Sequence, residues 1–196
     1  MKLEEDTDLT EVVQVVLEGG LIVYPTDTLY ALGCDPRCEN AVAALRRLKG
    51  KESGTPISVA FDSIERALAW TEPSMELRRI AERYLPGPVT LVVQASDRAP
   101  PGILHEGAIG IRVPDDPMVQ RLLRACGPLT ATSANLHGEP PPSSLIEVSE
   151  KILEGVEISL DGGSTRCSMP STVLRLSERG VEVLRIGALP LEAGND

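Results

Sequence analysis

Short apolar runs, each closed by a turn signal, set the limits on what this chain can become. Leu21-Ile-Val-Tyr24, Pro56 to Phe61, Val89 to Val93, Ala108 to Val113 and Leu129 to Thr132 are short and read as strands. Leu21-Ile-Val-Tyr24 is apolar without alternation, the pattern of a strand covered on both faces, and Val89 to Val93 reads as another buried strand. Ala108 to Val113 does alternate: Ile109, Ile111 and Val113 share one face, Gly110 and Arg112 the other. Further strands are expected near 157–160, 171–176 and 181–186.

Helical stripes separate these runs. Residues 8–18 carry Val12, Val13, Val16 and Leu17, with Asp8 as a cap, Glu11 three positions on and Gly19-Gly20 as the stop. A second helix follows Asn40, with Ala41, Val42, Ala44, Leu45 and Leu48 on one face, and stops at Lys49-Gly50. Helices near 63–70 and 74–84 take Asp62 and Ser74 as caps, and Pro86-Gly-Pro88 breaks the second. Asp116-Pro117 is an N-cap followed by proline at the first helical position, and that helix runs to Gly127. Residues 144–154 also read as helical. Buried strands alternating with helices predict an α/β fold, an open twisted mixed sheet with flanking helices. The 196 residues suit a single domain spanning 1–196, and no repeat or linker divides them.

Composition narrows the function. A formal net charge of −10 argues against bulk, nonspecific binding to nucleic acid or to an anionic membrane. No apolar run could span a bilayer and residues 1–7 are acidic and polar, so the expected location is cytoplasmic. Cys34, Cys38, Cys126 and Cys167 follow no zinc spacing and read as reduced thiols. His105 and His137 have no Ser or Cys partner in a triad arrangement, no Walker A or GxGxxG string occurs, and no carboxylate cluster suggests a metal cage. Neither a catalytic side chain nor a resident metal is therefore expected.

What remains is a set of hydroxyls, an amide and a few cations at strand ends. Leu129-Thr-Ala-Thr-Ser-Ala-Asn-Leu-His-Gly138 runs from a strand into a turn carrying Thr132, Ser133 and Asn135, groups suited to holding an oxyanion or a nucleotide. Pro25-Thr-Asp-Thr28 either offers hydroxyls to a small polar ligand or satisfies its own backbone. Only four of the nineteen basic residues are lysines, and two of those sit together in Lys49-Gly-Lys51. That pair either clamps phosphates or complements a helix C-terminus. Arg112 either binds a carboxylate bidentately or is solvated; Pro170-Ser-Thr172 and Arg185 carry little meaning alone.

Taken in order, these strings resemble the threonylcarbamoyl-AMP synthase family, of YrdC/TsaC-like fold, in its short single-domain form. Tyr24-Pro-Thr-Asp-Thr28 resembles the family's Y-P-T-[ED]-T, and Lys49-Gly-Lys51 with Pro56 its K-x-R and proline-started strand. Pro86-Gly-Pro-Val-Thr90 is similar to PGP-x-T, Gly110-Ile-Arg-Val-Pro114 to G-x-R-x-P, and Ser133-Ala-Asn135 to S-x-N. Pro170-Ser-Thr-Val173 and Leu184-Arg-Ile-Gly187 resemble the closing P-S-T-[VI] and L-R-x-G. The resemblance implies a concave basic cavity in the sheet. It implies that L-threonine, bicarbonate and ATP give threonylcarbamoyl-adenylate and pyrophosphate, with Mg²⁺ carried by ATP. A separate tRNA threonylcarbamoyl transferase would use the product, which leaves room for weak contact with the tRNA itself.

By position, the resemblance assigns threonine to Thr26, Arg112 and Ser171. It assigns ATP to Lys49, Lys51, Ser133, Asn135 and Arg185, with Ser143 also within reach. Lys51 stands where the family has arginine, and Ala60 where some members have a histidine. Two other readings compete: a YciO-like paralogue of unassigned role, which does not keep Ser-x-Asn, and a non-catalytic RNA-binding module. The acidic total and the 3% aromatic content weigh against the module.

Overall fold

The structure is a computed structural model, and it describes residues 1–50, 56–177 and 180–189. The architecture is mixed α/β with twisted open mixed sheets and flanking helices, and the strands divide between two sheets. In chain order the strands are β1 (Ile22–Tyr24), β2 (Ala31–Gly33), β3 (Ser58–Ala60), β4 (Val89–Gln94), β5 (Ala108–Arg112), β6 (Leu129–Thr130), β7 (Thr132–Ser133), β8 (Ile158–Ser159), β9 (Thr172–Ser177) and β10 (Gly180–Arg185). The larger sheet has the order β10-β9-β4-β5-β3-β6 and the smaller β7-β2-β1-β8. The helices are α1 (Thr10–Leu17), α2 (Glu39–Lys49), α3 (Ile64–Leu68), α4 (Met75–Tyr84), α5 (Pro117–Cys126) and α6 (Glu150–Glu154).

Burial explains the two kinds of strand. Val23 of β1 packs into one core with Leu32, Leu45 of α2 and Ile111. Its neighbours Ile22 and Tyr24 pack into a second core with Val12 and Val16 of α1 and Val119, Leu122 and Leu123 of α5. A strand between two cores must be apolar throughout, as the run from Leu21 is. In the larger sheet, Leu91 and Val93 of β4 and Ile109 and Ile111 of β5 join the first core. The residues between them therefore face the other way, where a cavity lies.

Several local expectations change. Ser63, not Asp62, caps α3, its side chain accepting from the Arg66 amide. Asp8 does not cap α1: it accepts from the Thr10 amide and hydroxyl one position too early, and Leu17 is 66% exposed. The 144–154 segment is a 3-10 turn (Leu145–Glu147) followed by the five-residue α6. The run from Leu129 divides into β6, antiparallel to β3, and β7, antiparallel to β2. The chain thus crosses from one sheet to the other at Ala131. β2 carried no separate signal in the sequence, because a three-residue strand is fixed by its partners β1 and β7 rather than by its own pattern.

Candidate functional site

The free face of the larger sheet is the floor of a cavity of about 920 Å³, near the upper end of the range for small-molecule sites. Alternation supplies its residues: Thr90, Val92 and Gln94 of β4, and Ala108, Gly110 and Arg112 of β5. Register places Gly110 beside Ser58 of β3. A Cβ on Gly110 would lie 2.7 Å from Ser58 Oγ, so only glycine leaves the floor flat there. Thr28 and Tyr30 after β1, Thr132 and Ser133 of β7, and Ser171 and Arg185 close the walls.

Two arginines share one end. Arg112 is 6% exposed; its Nη2 donates to Asp27 Oδ1 at 2.6 Å and to Thr28 Oγ1 at 2.8 Å, while its buried Nε has no partner among the described residues. Arg112 is therefore buried and ion-paired rather than solvated. Arg185 donates through Nε and Nη2 to the Ser171 carbonyl, at 3.1 and 2.9 Å, and through Nη2 to Ser171 Oγ at 3.2 Å. Ser171 Oγ in turn shares a 2.8 Å hydrogen bond with Thr90 Oγ1. Burial, followed by repulsion from the Arg112 charge, pulls the Arg185 guanidinium below its ordinary value. Two like charges with spare donors at one end of a cavity suit an anionic ligand group.

The second cluster joins the end of α2 to β7. Lys49 is 2% exposed, so it is more than a surface complement to the helix dipole. Its ammonium donates to the Ser133 carbonyl and, at 2.8 Å, to the Asn135 carbonyl, with Asn135 Oδ1 at 3.5 Å. Gly50 closes α2 in the left-handed region at φ 66°, with its amide on the Arg47 carbonyl. Ser133 Oγ donates to Asn135 Oδ1 at 2.5 Å, and Asn135 Nδ2 donates to the Leu136 and Glu139 carbonyls. Ser133 is in the cavity wall; Lys49 and Asn135 stand behind it and fix its path.

Of the sequence-nominated residues, the structure brings Arg112, Ser133, Ser171 and Arg185 to one cavity. Thr26 lies outside the wall. Its hydroxyl donates to the Leu29 carbonyl at 2.7 Å and accepts from the Thr28 and Leu29 amides, both at 3.2 Å. Those bonds tighten a turn that presents Thr28. Ser143 is also outside the wall, donating through its amide and hydroxyl to Glu147 Oε2 at 2.7 and 2.9 Å. Lys51 lies outside the described residues.

Sequence reasoning gave no separate role to Asp27, Thr28 or Thr90, and weighed His105 only as a triad member. A polar Thr90 in an otherwise apolar strand was a readable signal, as was Asp27 between two threonines. His105 and Glu106 line the far end of the cavity near Gln94 and Arg175; nothing in one dimension placed that turn beside the sheet. Among the described residues no group of three His, Cys, Asp or Glu side chains could hold a metal ion, and no helix is long and apolar enough to cross a membrane.

Known proteins are similar to this chain in sequence and fold. The chain is 36% identical over 182 residues to the threonylcarbamoyl-AMP synthase of Pyrococcus abyssi, covering 90% of this chain and 53% of that protein. A crystal structure of P. abyssi Sua5 complexed with L-threonine superposes with a TM-score of 0.88 at 34% identity, over 93% of this chain and 54% of the other. The chain thus spans about half the length of that relative. The threonylcarbamoyl-AMP synthase of Xanthomonas axonopodis pv. citri is 32% identical over 179 residues, 87% of this chain and 94% of that protein. E. coli YciO superposes with a TM-score of 0.82 at 30% identity, over 90% of this chain and 87% of that chain. The Sua5/YciO/YrdC family model, described as telomere recombination, matches residues 14–187, and the chain belongs to that family.

Proposed function

We propose that this chain is an L-threonylcarbamoyladenylate synthase, a nucleotidyltransferase that joins L-threonine, bicarbonate and MgATP. The observation that carries the reading is the convergence of Arg112, Ser171, Arg185 and Ser133 on one cavity. Arg112, Arg175 and Arg185 stand in the same wall, where their guanidiniums would meet the threonine carboxylate and the phosphates of ATP.

The chemistry asks little of side-chain acids or bases. The threonine amine attacks the carbon of bicarbonate, forming the carbamate with loss of water, and the ammonium proton leaves to solvent. A carbamate oxygen then attacks the α-phosphorus of ATP, and the bond to the β-phosphate oxygen breaks with release of pyrophosphate. Rate comes from orientation and from neutralising charge on the phosphates. Arg112 receives the threonine carboxylate, with Ser171 alongside and Thr28 held in place by Thr26. Arg185 and Ser133 face the nucleotide, while Lys49, Asn135 and Ser143 shape or extend its wall and Lys51 adds charge. Mg²⁺ would be carried by the triphosphate, where it would supply further neutralisation of phosphate charge. The product then passes to a tRNA threonylcarbamoyl transferase, in the cytoplasm; any contact of this chain with tRNA is weak.

Release of pyrophosphate from ATP tests the reading. It should require threonine and bicarbonate together. Release that does not depend on threonine, or none above background with Mg²⁺ present, overturns it.

A further inference from the structure

Asp27 does not line the cavity, and its side chain is 0% exposed. A carboxylate at that depth needs compensating partners. Those of Asp27 come from separate parts of the fold. Oδ1 accepts from Arg112 Nη2 at 2.6 Å, Oδ2 accepts from the Asp115 amide at 3.3 Å, and the Asp27 carbonyl accepts from the Cys167 amide at 3.0 Å. The carboxylate therefore pins the turn after β1 to the end of β5, and the segment before Ser171 closes over its backbone.

The charge count at this end is informative. Arg112 and Arg185 both line the cavity, and burial, followed by the Arg112 charge, depresses the Arg185 guanidinium. Among the described residues, Asp27 is the one carboxylate that either arginine touches, since Arg185's partners are the carbonyl and hydroxyl of Ser171. With Asp27 ionised the trio carries one net positive charge, which matches a single carboxylate. Without it the two guanidiniums carry two, the arrangement that favours a phosphate or pyrophosphate group. The same bond occupies Nη2, while the buried Nε has no partner among the described residues.

We propose that Asp27 is a positioning and specificity residue: by tying down Arg112 and halving the positive charge of the inner end, it makes that end select a carboxylate over a phosphate group. This rests on the synthase reading, in which the carboxylate is that of threonine and pyrophosphate is the competing product.

Calorimetry on the whole chain separates the two ideas. Wild-type protein should bind L-threonine with the same affinity whether or not inorganic pyrophosphate is present. Asp27→Asn should weaken threonine binding roughly ten- to a hundredfold, the penalty of a misplaced anchoring group. In that variant pyrophosphate should now displace threonine, and Asp27→Glu should recover part of the selectivity. Displacement of threonine by pyrophosphate in the wild type overturns the proposal, and that arm does not depend on any variant folding. Wild-type threonine affinity in Asp27→Asn overturns it too, as does weakened threonine binding with no gain in pyrophosphate competition, which is what a merely structural Asp27 would give. If the wild type binds no threonine at all, the synthase reading falls and this inference with it, whereas the other failures leave that reading standing.

Discussion

At the scale of single residues, Arg112 and Thr26 are expected to fail in different ways. Arg112→Ala removes the inner-end donor and leaves the rest of the nucleotide wall in place. Threonine binding should be lost while ATP binding persists, as read by calorimetry with each ligand separately; retained threonine affinity would remove Arg112 from its role. Thr26→Val removes a hydroxyl that serves only its own turn and strands the Thr28 and Leu29 amides it now satisfies, while the Leu29 carbonyl keeps the backbone amide of residue 26. The expected loss is in stability, about 1–3 kcal/mol for unsatisfied buried groups, measured by urea unfolding. The threonine affinity of molecules that remain folded should change far less than in Arg112→Ala. The sequence made Arg112 visible because it stands, beside Gly110, on the face of its strand opposite the apolar one. It left Thr26 and Thr28 indistinguishable, since two threonines two apart offer the same group and only the path of the turn decides which one faces the ligand.

At the scale of elements, caps and strand faces were readable where one local interaction decides them. The side chain of Asp116 accepts from the Met118 and Val119 amides at 2.9 and 3.2 Å, as the Asp-Pro signal implied. Asp116→Ala should cost about 1 kcal/mol in unfolding experiments, with pyrophosphate release per folded molecule unchanged. Gly110 poses the opposite test. Its Cβ would meet Ser58 Oγ across the β3–β5 pair, so Gly110→Ala both crowds the strands and fills the cavity floor. Turnover should fall by about tenfold or more, since misplacing bound groups by fractions of an ångström is enough. Adding Ser58→Ala should restore part of it; no recovery would mean that the filled cavity, not the strand contact, is the cause. Asp8 as a cap failed because Asp8 spends its carboxylate on Thr10 as the helix begins.

At the scale of the whole molecule, the buried thiols couple folding to alkaline pH. Burial pushes the Cys34 thiol up from its ordinary 9.0 to about 12, and the Cys126 thiol up to about 11. The folded protein then keeps these protons at a pH where the unfolded chain has released them. The stability they contribute is complete below about pH 9 and is lost as pH rises toward those folded values. Urea midpoints measured from neutral to alkaline pH should fall, and Cys34→Ala should flatten the decline; a midpoint flat across that range would contradict the burial of both thiols.

The sequence by itself determined the fold class, most element positions and the residues that can bear anion-binding chemistry. Those properties follow from local periodicity, capping and side-chain type, which act over a few neighbours. Only the tertiary structure decided that the run from Leu129 serves two sheets, that Lys49 reaches back to Ser133 and Asn135, and that Asp27 sits on Arg112. Each of those contacts joins segments roughly eighty or more residues apart, or strands of different sheets, and is set by how two cores pack around β1. Nothing in a local window carries that information, because the energy that fixes it belongs to the packed whole.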